Sequence, residues 1–487
     1  MSPSHPLTPS PLHRHLWPDT ASINDAGHLV IGGCDAALLA DEFGTPLYVF
    51  DEATLRATMR GYRAAFAAAY PHPSAIHYAS KALLNTAVAQ LVAQEGLMLD
   101  VVSGGELFVA RRAGFPMAHI HLHGNAKSRA ELERALDWGV GAVVVDNLDE
   151  LALLAQLSAA RAAPQPILLR LAPGIDAHTH AHIATGAADS KFGLPLDALD
   201  AAAALARESP GLRLLGLHAH IGSQVFDWEA LTRNVEVLVE CAARLRDRWG
   251  LAAEEICPGG GLGVAYLPGE ASGDVHAYAR ALGDAMLRAC ARHALPPPRL
   301  AVEPGRSIVA RSGVALYRVV ATKRSQTADG GPQTADGSPM NSDDSGGRRS
   351  AVASAASIAV GGRERSEHAV GYLHIDGGMA DNIRPALYGA RYTSLLANRA
   401  GEQPSTTVHV AGRYCESGDV LLRDAALPPA GPGDLLAVAV SGAYTLSMAS
   451  NYNGAPRPAV VLVGDGRARL IQRRETEEEL VARDVLL

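Results

Sequence analysis

Paired cysteines, basic runs and long apolar stretches are all missing from this chain, and each absence removes a class of function. The five cysteines, Cys34, Cys241, Cys257, Cys290 and Cys415, are scattered over 487 residues with no Cys-x-x-Cys pair. That spacing supports neither a zinc knuckle nor a disulfide framework and fits a reducing compartment, so no metal is expected. Net charge is -8 and no stretch is strongly basic, so nothing advertises nucleic acid or an anionic membrane as a partner. No segment is apolar for the length of a membrane span, and the first twenty residues, rich in Pro, His and Ser, lack the apolar core of a secretory signal. A cytoplasmic protein acting on a small molecule is the expectation.

What is present is a soluble composition, 48% hydrophobic and 19% charged, with enough apolar side chains for more than one core. Residues 1–20 read as a disordered tail, and 21–50 as a segment expected to join a later β domain. From residue 75 a rhythm begins. Apolar strand candidates at 75–79, 97–102, 119–123, 142–146, 166–171, 214–220, 254–257 and 299–302 alternate with helix-period stretches such as 128–138 and 147–157. Eight β-then-α units over 51–312 predict a (β/α)8 TIM-type barrel, with a doubly wound open sheet as the competing architecture. Past Arg306 the helical period fades. Short strands at 314–321, 372–375, 408–411, 435–440 and 459–462 predict a mostly β C-terminal domain over 313–487. The stretch 324–370 interrupts it with a direct repeat (Gln326-Thr327-Ala328-Asp329-Gly330, then Gln333-Thr334-Ala335-Asp336-Gly337) and no aromatic side chain before Tyr372. Such a segment buries too little apolar surface to offset its ordering entropy and reads as a disordered insertion.

The chemistry centres on His77-Tyr78-Ala79-Ser80-Lys81-Ala82, where an apolar run ends in one lysine. A lysine at the carboxyl end of a barrel strand, partly desolvated, can condense with an aldehyde. Glu303 ends the eighth strand candidate, and Gly259-Gly260-Gly261 after the seventh lets backbone N–H groups approach an anion.

Together with Ser190-Lys191-Phe192-Gly193 after Thr185-Gly186, His218-Ala219-His220-Ile221-Gly222-Ser223-Gln224, Glu303-Pro304-Gly305-Arg306, Cys415-Glu416-Ser417-Gly418-Asp419 and Gly442-Ala443-Tyr444, these motifs resemble the diaminopimelate decarboxylases. That family belongs to the alanine-racemase-like fold group of pyridoxal-phosphate enzymes. The resemblance runs from about Gly44 to near the carboxyl terminus. It implies pyridoxal 5'-phosphate held covalently by Lys81, with Glu303 on the pyridine nitrogen and His220 stacked on the ring. Ser223, Gly261, Gly305, Arg306 and Tyr444 would share the phosphate. Arg306, Arg384, Tyr388 and Tyr444 would meet the distal carboxylate of the substrate, and Glu416 its distal ammonium. Cys415 would be the proton donor after CO2 leaves the D-configured centre, entering from the partner subunit of a homodimer with shared sites. Asp100, Ser103, His123, Asn125, Arg170 and His180 are expected to order the surroundings. The implied activity is decarboxylation of meso-2,6-diaminopimelate to L-lysine, the last step of lysine biosynthesis. A decarboxylase of ornithine, arginine, a D-amino acid or carboxynorspermidine, or a pyridoxal-phosphate carrier without turnover, stays open. Cys34, Cys241, Cys257 and Cys290 read as small core residues.

Deleting 325–367 is expected to leave activity intact in an assay of the purified protein; a soluble deletion protein that is dead would contradict that reading.

Overall fold

The computed structural model describes residues 12–175, 191–323 and 371–487. The expectations for 1–11 and 324–370, for His180 and for the Thr185-Gly186 end of its motif lie outside the described residues.

Eight parallel strands, Ser74–Ala79, Met98–Val101, Ile120–Leu122, Ala142–Val145, Gln165–Ala172, Leu212–His218, Glu255–Cys257 and Arg299–Val302, pair each with the next. The ring shuts because Arg299–Val302 pairs back onto Ser74–Ala79. Closure excludes the open sheet. Alternation along the strands separates two cores, as a period of two requires. Ala75, Ala142, Val144, Leu168, Leu215, Cys257 and Ala301 form one small cluster. Their neighbours Ile76, Val143, Val145, Leu169, Leu214, Ile256 and Val302 belong to the large core that includes the surrounding helices.

The helices start and stop where the local chemistry allows. Arg129–Trp138 opens on a Ser128/Glu131 capping box and ends at Gly139, whose φ of 69° suits a residue without Cβ. The eighth unit departs from expectation, for only the four-residue helix Arg306–Val309 follows the last strand. Glu52–Ala69, which precedes the first strand, packs on Val275–Arg292 and completes the outer ring, with Phe66 edge-on to Tyr278 at 5.8 Å.

The second sheet is built around Gly313–Lys323. This strand pairs along its first residues with Leu47–Asp51, along its last with Gly371–Ile375, and also with Leu435–Val438. Leu47–Asp51 pairs in turn with Ala459–Gly464, so a strand from before the barrel sits among strands from after it. Ser394–Leu396, Val420–Leu427 and Arg467–Gln472 were not among the expected strands; the last is largely exposed and carries two arginines, so it shows no apolar signature.

Residues 12–20 require a correction. Leu16 and Trp17 are buried at 0% and 1% exposure, the Asp19 N–H donates to Thr54 Oγ1 at 2.7 Å, and Arg311 donates to the Trp17 carbonyl and the Asp19 carboxylate. A polar-looking segment is pinned by two apolar anchors. Trp17→Ala is expected to cost about 3–5 kcal/mol of unfolding free energy; an unchanged urea midpoint would show that this segment is not part of the core.

Candidate active site

The carboxyl ends of the barrel strands surround a cavity of about 790 Å³, within the range of small-molecule sites. Lys81, Arg170, His218, His220, Ser223, Glu303, Arg306, Arg384, Tyr388 and Tyr444 line it. A smaller recess opens from the same place between Gly261, Gly305, Ser223, Arg306 and Tyr444.

Lys81 sits in the single turn Ser80–Ala82 that follows the first barrel strand. The turn is held from outside the barrel, because the Tyr444 N–H donates to the Ala82 carbonyl at 2.8 Å. Tyr444 itself has φ of 58°, a left-handed conformation that this latch maintains. Burial lowers the pKa of the Lys81 amine, but the charges of Asp100, Tyr444 and Glu303 outweigh it and leave it above its ordinary value. The free amine is therefore an ammonium at neutral pH.

Glu303 is buried where the last strand ends, and its two oxygens face imidazoles. His218 Nε2 is 3.0 Å from Oε2, and His123 Nε2 is 3.1 Å from Oε1. Cys257 Sγ donates to Oε1 at 3.4 Å. Burial alone would raise the carboxyl pKa; His218 and His123 reverse that and hold it well below the usual range. Burial likewise lowers the His218 imidazole, against which the Glu303 charge works.

His220 is also lowered well below the usual imidazole value, by burial first and by Lys81 and Arg170 next. The Gly260 N–H donates to its Nδ1 at 3.2 Å, which leaves the proton of the neutral ring on Nε2. His218 turns to Glu303, so the two histidines of the motif have separate partners.

The glycines of this rim are places where a side chain cannot go. A Cβ on Gly260 would lie 2.0 Å from the Glu303 carbonyl oxygen, and one on Gly261, at φ of 111°, would lie 2.5 Å from that of Gly222. Bare backbone therefore faces the recess, next to Arg306, whose Nε and Nη2 donate to Ser223 Oγ at 3.3 and 3.2 Å.

Arg306 and Arg384 are 7% and 6% exposed. Among the described residues they find hydroxyls and ring faces: Arg306 donates to Tyr266 at 2.8 Å and lies over Tyr444, and Arg384 donates to Tyr392 and lies over Tyr266 and Tyr392. A buried guanidinium held by hydroxyls and ring faces keeps its charge uncompensated, and such a charge suits a carboxylate or phosphate. A phosphate in the glycine-lined recess, an aldehyde at Lys81 and a ring nitrogen at Glu303 fit this donor set; the residues present suit pyridoxal 5'-phosphate.

Two expected residues are not brought to the cavity. Cys415 and Glu416 are exposed, on a loop whose Asp419 accepts the N–H groups of Met379 and Tyr414 at 2.7 and 2.8 Å. Ser103 caps the helix Gly104–Arg112, a structural task, while Asn125 and Arg170 reach the cavity wall and Asp100 lies buried near Lys81. Sequence reasoning missed Tyr266, at the end of the run Gly261-Leu262-Gly263-Val264-Ala265-Tyr266, and gave Cys257 no contact with Glu303. The only available signal was that run's position after a barrel strand.

Residues 53–310 match the family model described as pyridoxal-dependent decarboxylase, pyridoxal binding domain. The chain is 44% identical to a diaminopimelate decarboxylase of Actinosynnema pretiosum subsp. auranticum, over 99% of this chain and 98% of the relative. It is 42% identical to that of Synechocystis sp., over 99% and 95%. The fold is similar to the crystal structure of diaminopimelate decarboxylase from M. jannaschii in complex with L-lysine, with a TM-score of 0.81, 31% identity, and 96% and 98% of the two chains covered.

Removing the Asp100 charge withdraws the strongest of the attractions that favour the Lys81 ammonium. Asp100→Asn is expected to lower the pH at which Lys81 of the cofactor-free protein is half-labelled by trinitrobenzenesulfonate, read by peptide mass spectrometry. A profile that stays put or moves upward would contradict the electrostatic account.

Proposed function

The chain belongs to the diaminopimelate decarboxylase family of pyridoxal-dependent decarboxylases, and from that premise we propose how its residues convert meso-2,6-diaminopimelate to L-lysine and CO2 in lysine biosynthesis. The observation that carries the reading is the sharing of one cavity by Lys81, an ionised Glu303 and two buried guanidiniums that have no carboxylate partner among the described residues.

Pyridoxal 5'-phosphate, when bound, supplies an aldehyde that takes an amine covalently and a ring that accepts the electron pair left by departing CO2. Lys81 is the residue that would hold that aldehyde through its amine, and with the substrate in place it would hold a proton at Nζ. Glu303 would hold a proton on the ring nitrogen, its own carboxyl pKa being kept low by His218 and His123. His220 supplies a flat, neutral face that fixes the plane of the ring. Ser223, Arg306, Tyr444 and the backbone at Gly261 and Gly305 hold the phosphate. Arg384, with Arg306, Tyr388 and Tyr444, takes the distal carboxylate, whose planar oxygens suit a guanidinium fork. That second carboxylate separates this substrate from ornithine and similar amino acids.

Cys415 donates the proton that replaces CO2, and Glu416 takes the distal ammonium. Both act in the cavity of a second copy of the chain in a cytoplasmic homodimer. Support comes from the exposure of Cys415 and Glu416 and from the anchoring of their loop through Asp419, away from the cavity of their own chain. Such a dimer has two composite sites.

Wild-type protein is expected to release CO2 from meso-diaminopimelate. Lys81→Ala and Cys415→Ala proteins, each nearly inactive alone, are expected to regain roughly a quarter of wild-type turnover when unfolded, mixed and refolded together, because half the dimers then hold one intact site of two. A mixture as dead as its parents, beside an active wild type refolded in the same way, would remove the shared site.

A further inference from the structure

Tyr266 occupies a position that the roles above leave unexplained. Its hydroxyl accepts from Arg306 Nη1 at 2.8 Å. Its ring faces the other guanidinium, with Arg384 Cζ 4.9 Å from the ring centroid. The ring of Tyr392, whose hydroxyl accepts from Arg384, stands edge-on at 5.3 Å and 90°. One phenol therefore touches both arginines. The two belong to different parts of the site: Arg306 borders the glycine-lined recess as well as the main cavity, whereas Arg384 and Tyr266 border the main cavity alone.

The backbone of Tyr266 is held from both sides. Its N–H donates to Glu270 Oε2 at 2.8 Å, its carbonyl accepts from Thr393 Oγ1 at 2.8 Å, and the preceding loop is clamped by the reciprocal pair between Gln224 and the Val264 backbone at 3.0 and 2.9 Å. Burial would raise its pKa, yet Arg306 and Arg384 together bring it below the ordinary tyrosine value. The oxygen is thus a strong acceptor, standing where two cations converge.

We propose that Tyr266 is a positioning residue that ties the phosphate site to the distal-carboxylate site, so that each anion orients the arginine of the other and the pocket favours substrates with a second carboxylate. The proposal rests on the assignment of the recess to phosphate and the main cavity to diaminopimelate. Coupling of this kind is reciprocal in binding free energy. A hydroxyl that accepts from an arginine is the strong class of hydrogen bond, and its loss is felt on the order of tenfold or more in affinity.

The test is Tyr266→Phe, which keeps the ring over Arg384 and removes the acceptor of Arg306. We expect KM for meso-diaminopimelate to rise about tenfold with kcat within about twofold of wild type. In the absence of substrate, affinity for pyridoxal 5'-phosphate, read by fluorescence titration of the stripped protein, should fall several-fold, while affinity for pyridoxal, which lacks the phosphate, stays unchanged. Unaltered KM and cofactor affinity, or a change confined to one of the two sites, overturns the coupling. An equal fall in kcat and kcat/KM with a lowered Tm also overturns it, since that marks a structural role. Wild-type protein that ignores diaminopimelate would refute the substrate assignment instead, and the titrations would still judge Tyr266.

Discussion

Everything at the rim of the barrel depends on keeping one carboxylate charged in a place nearly closed to water. Glu303 is 6% exposed, and burial by itself favours the neutral acid. The protein answers with geometry: His218 and His123, from the ends of two other strands, bring an Nε2 to each oxygen. The closed ring makes this possible, because only closure places the ends of the third, sixth and eighth strands around one point. The same negative charge, with that of Asp100, holds a proton on Lys81. The charge states of Lys81 and Glu303 are therefore linked through a single field.

The opposite end of the cavity inverts the pattern. There the buried charges are guanidiniums, and the groups that satisfy them are phenols and a serine hydroxyl. Hydroxyls and ring faces hold an arginine in place without neutralising it, so the attraction for an incoming anion is kept. Carboxylates in those positions would have filled the site with an internal ion pair. The division of the cavity into a negative floor and a positive wall suits a ligand that carries a pyridine nitrogen at one end and acidic groups at the others.

Much of this was legible in the residues. The barrel strands announced themselves by apolar runs at regular spacing, and Lys81, Glu303 and His220 lay in motifs long enough to be specific. Relations among distant residues were not legible. That His123 shares Glu303 with His218, or that Cys257 reaches the same carboxylate, follows from the shape of the closed ring and leaves no trace in local pattern. Tyr266 was hidden because an isolated tyrosine after a glycine run has no periodic signature. Trp17 was hidden because the average composition of its neighbours is polar, and a mean conceals two anchors. Arg467–Gln472 was missed because an edge strand facing solvent does not alternate.

The placement of the two elements that precede the barrel strands has a bearing on how the chain reaches this state. Glu52–Ala69 completes the ring by packing on Val275–Arg292, and Leu47–Asp51 lies between Gly313–Lys323 and Ala459–Gly464. A ribosome releasing the chain from its amino terminus thus emits a helix and a strand whose neighbours are made hundreds of residues later. Contacts so remote in sequence slow acquisition of the native state, since the entropy of joining them is lost before packing rewards it. Until translation finishes, the apolar faces of Leu47, Val49, Leu55 and Phe66, all fully enclosed at the end, have no home. The nascent protein is exposed to aggregation through these faces until their partners are made.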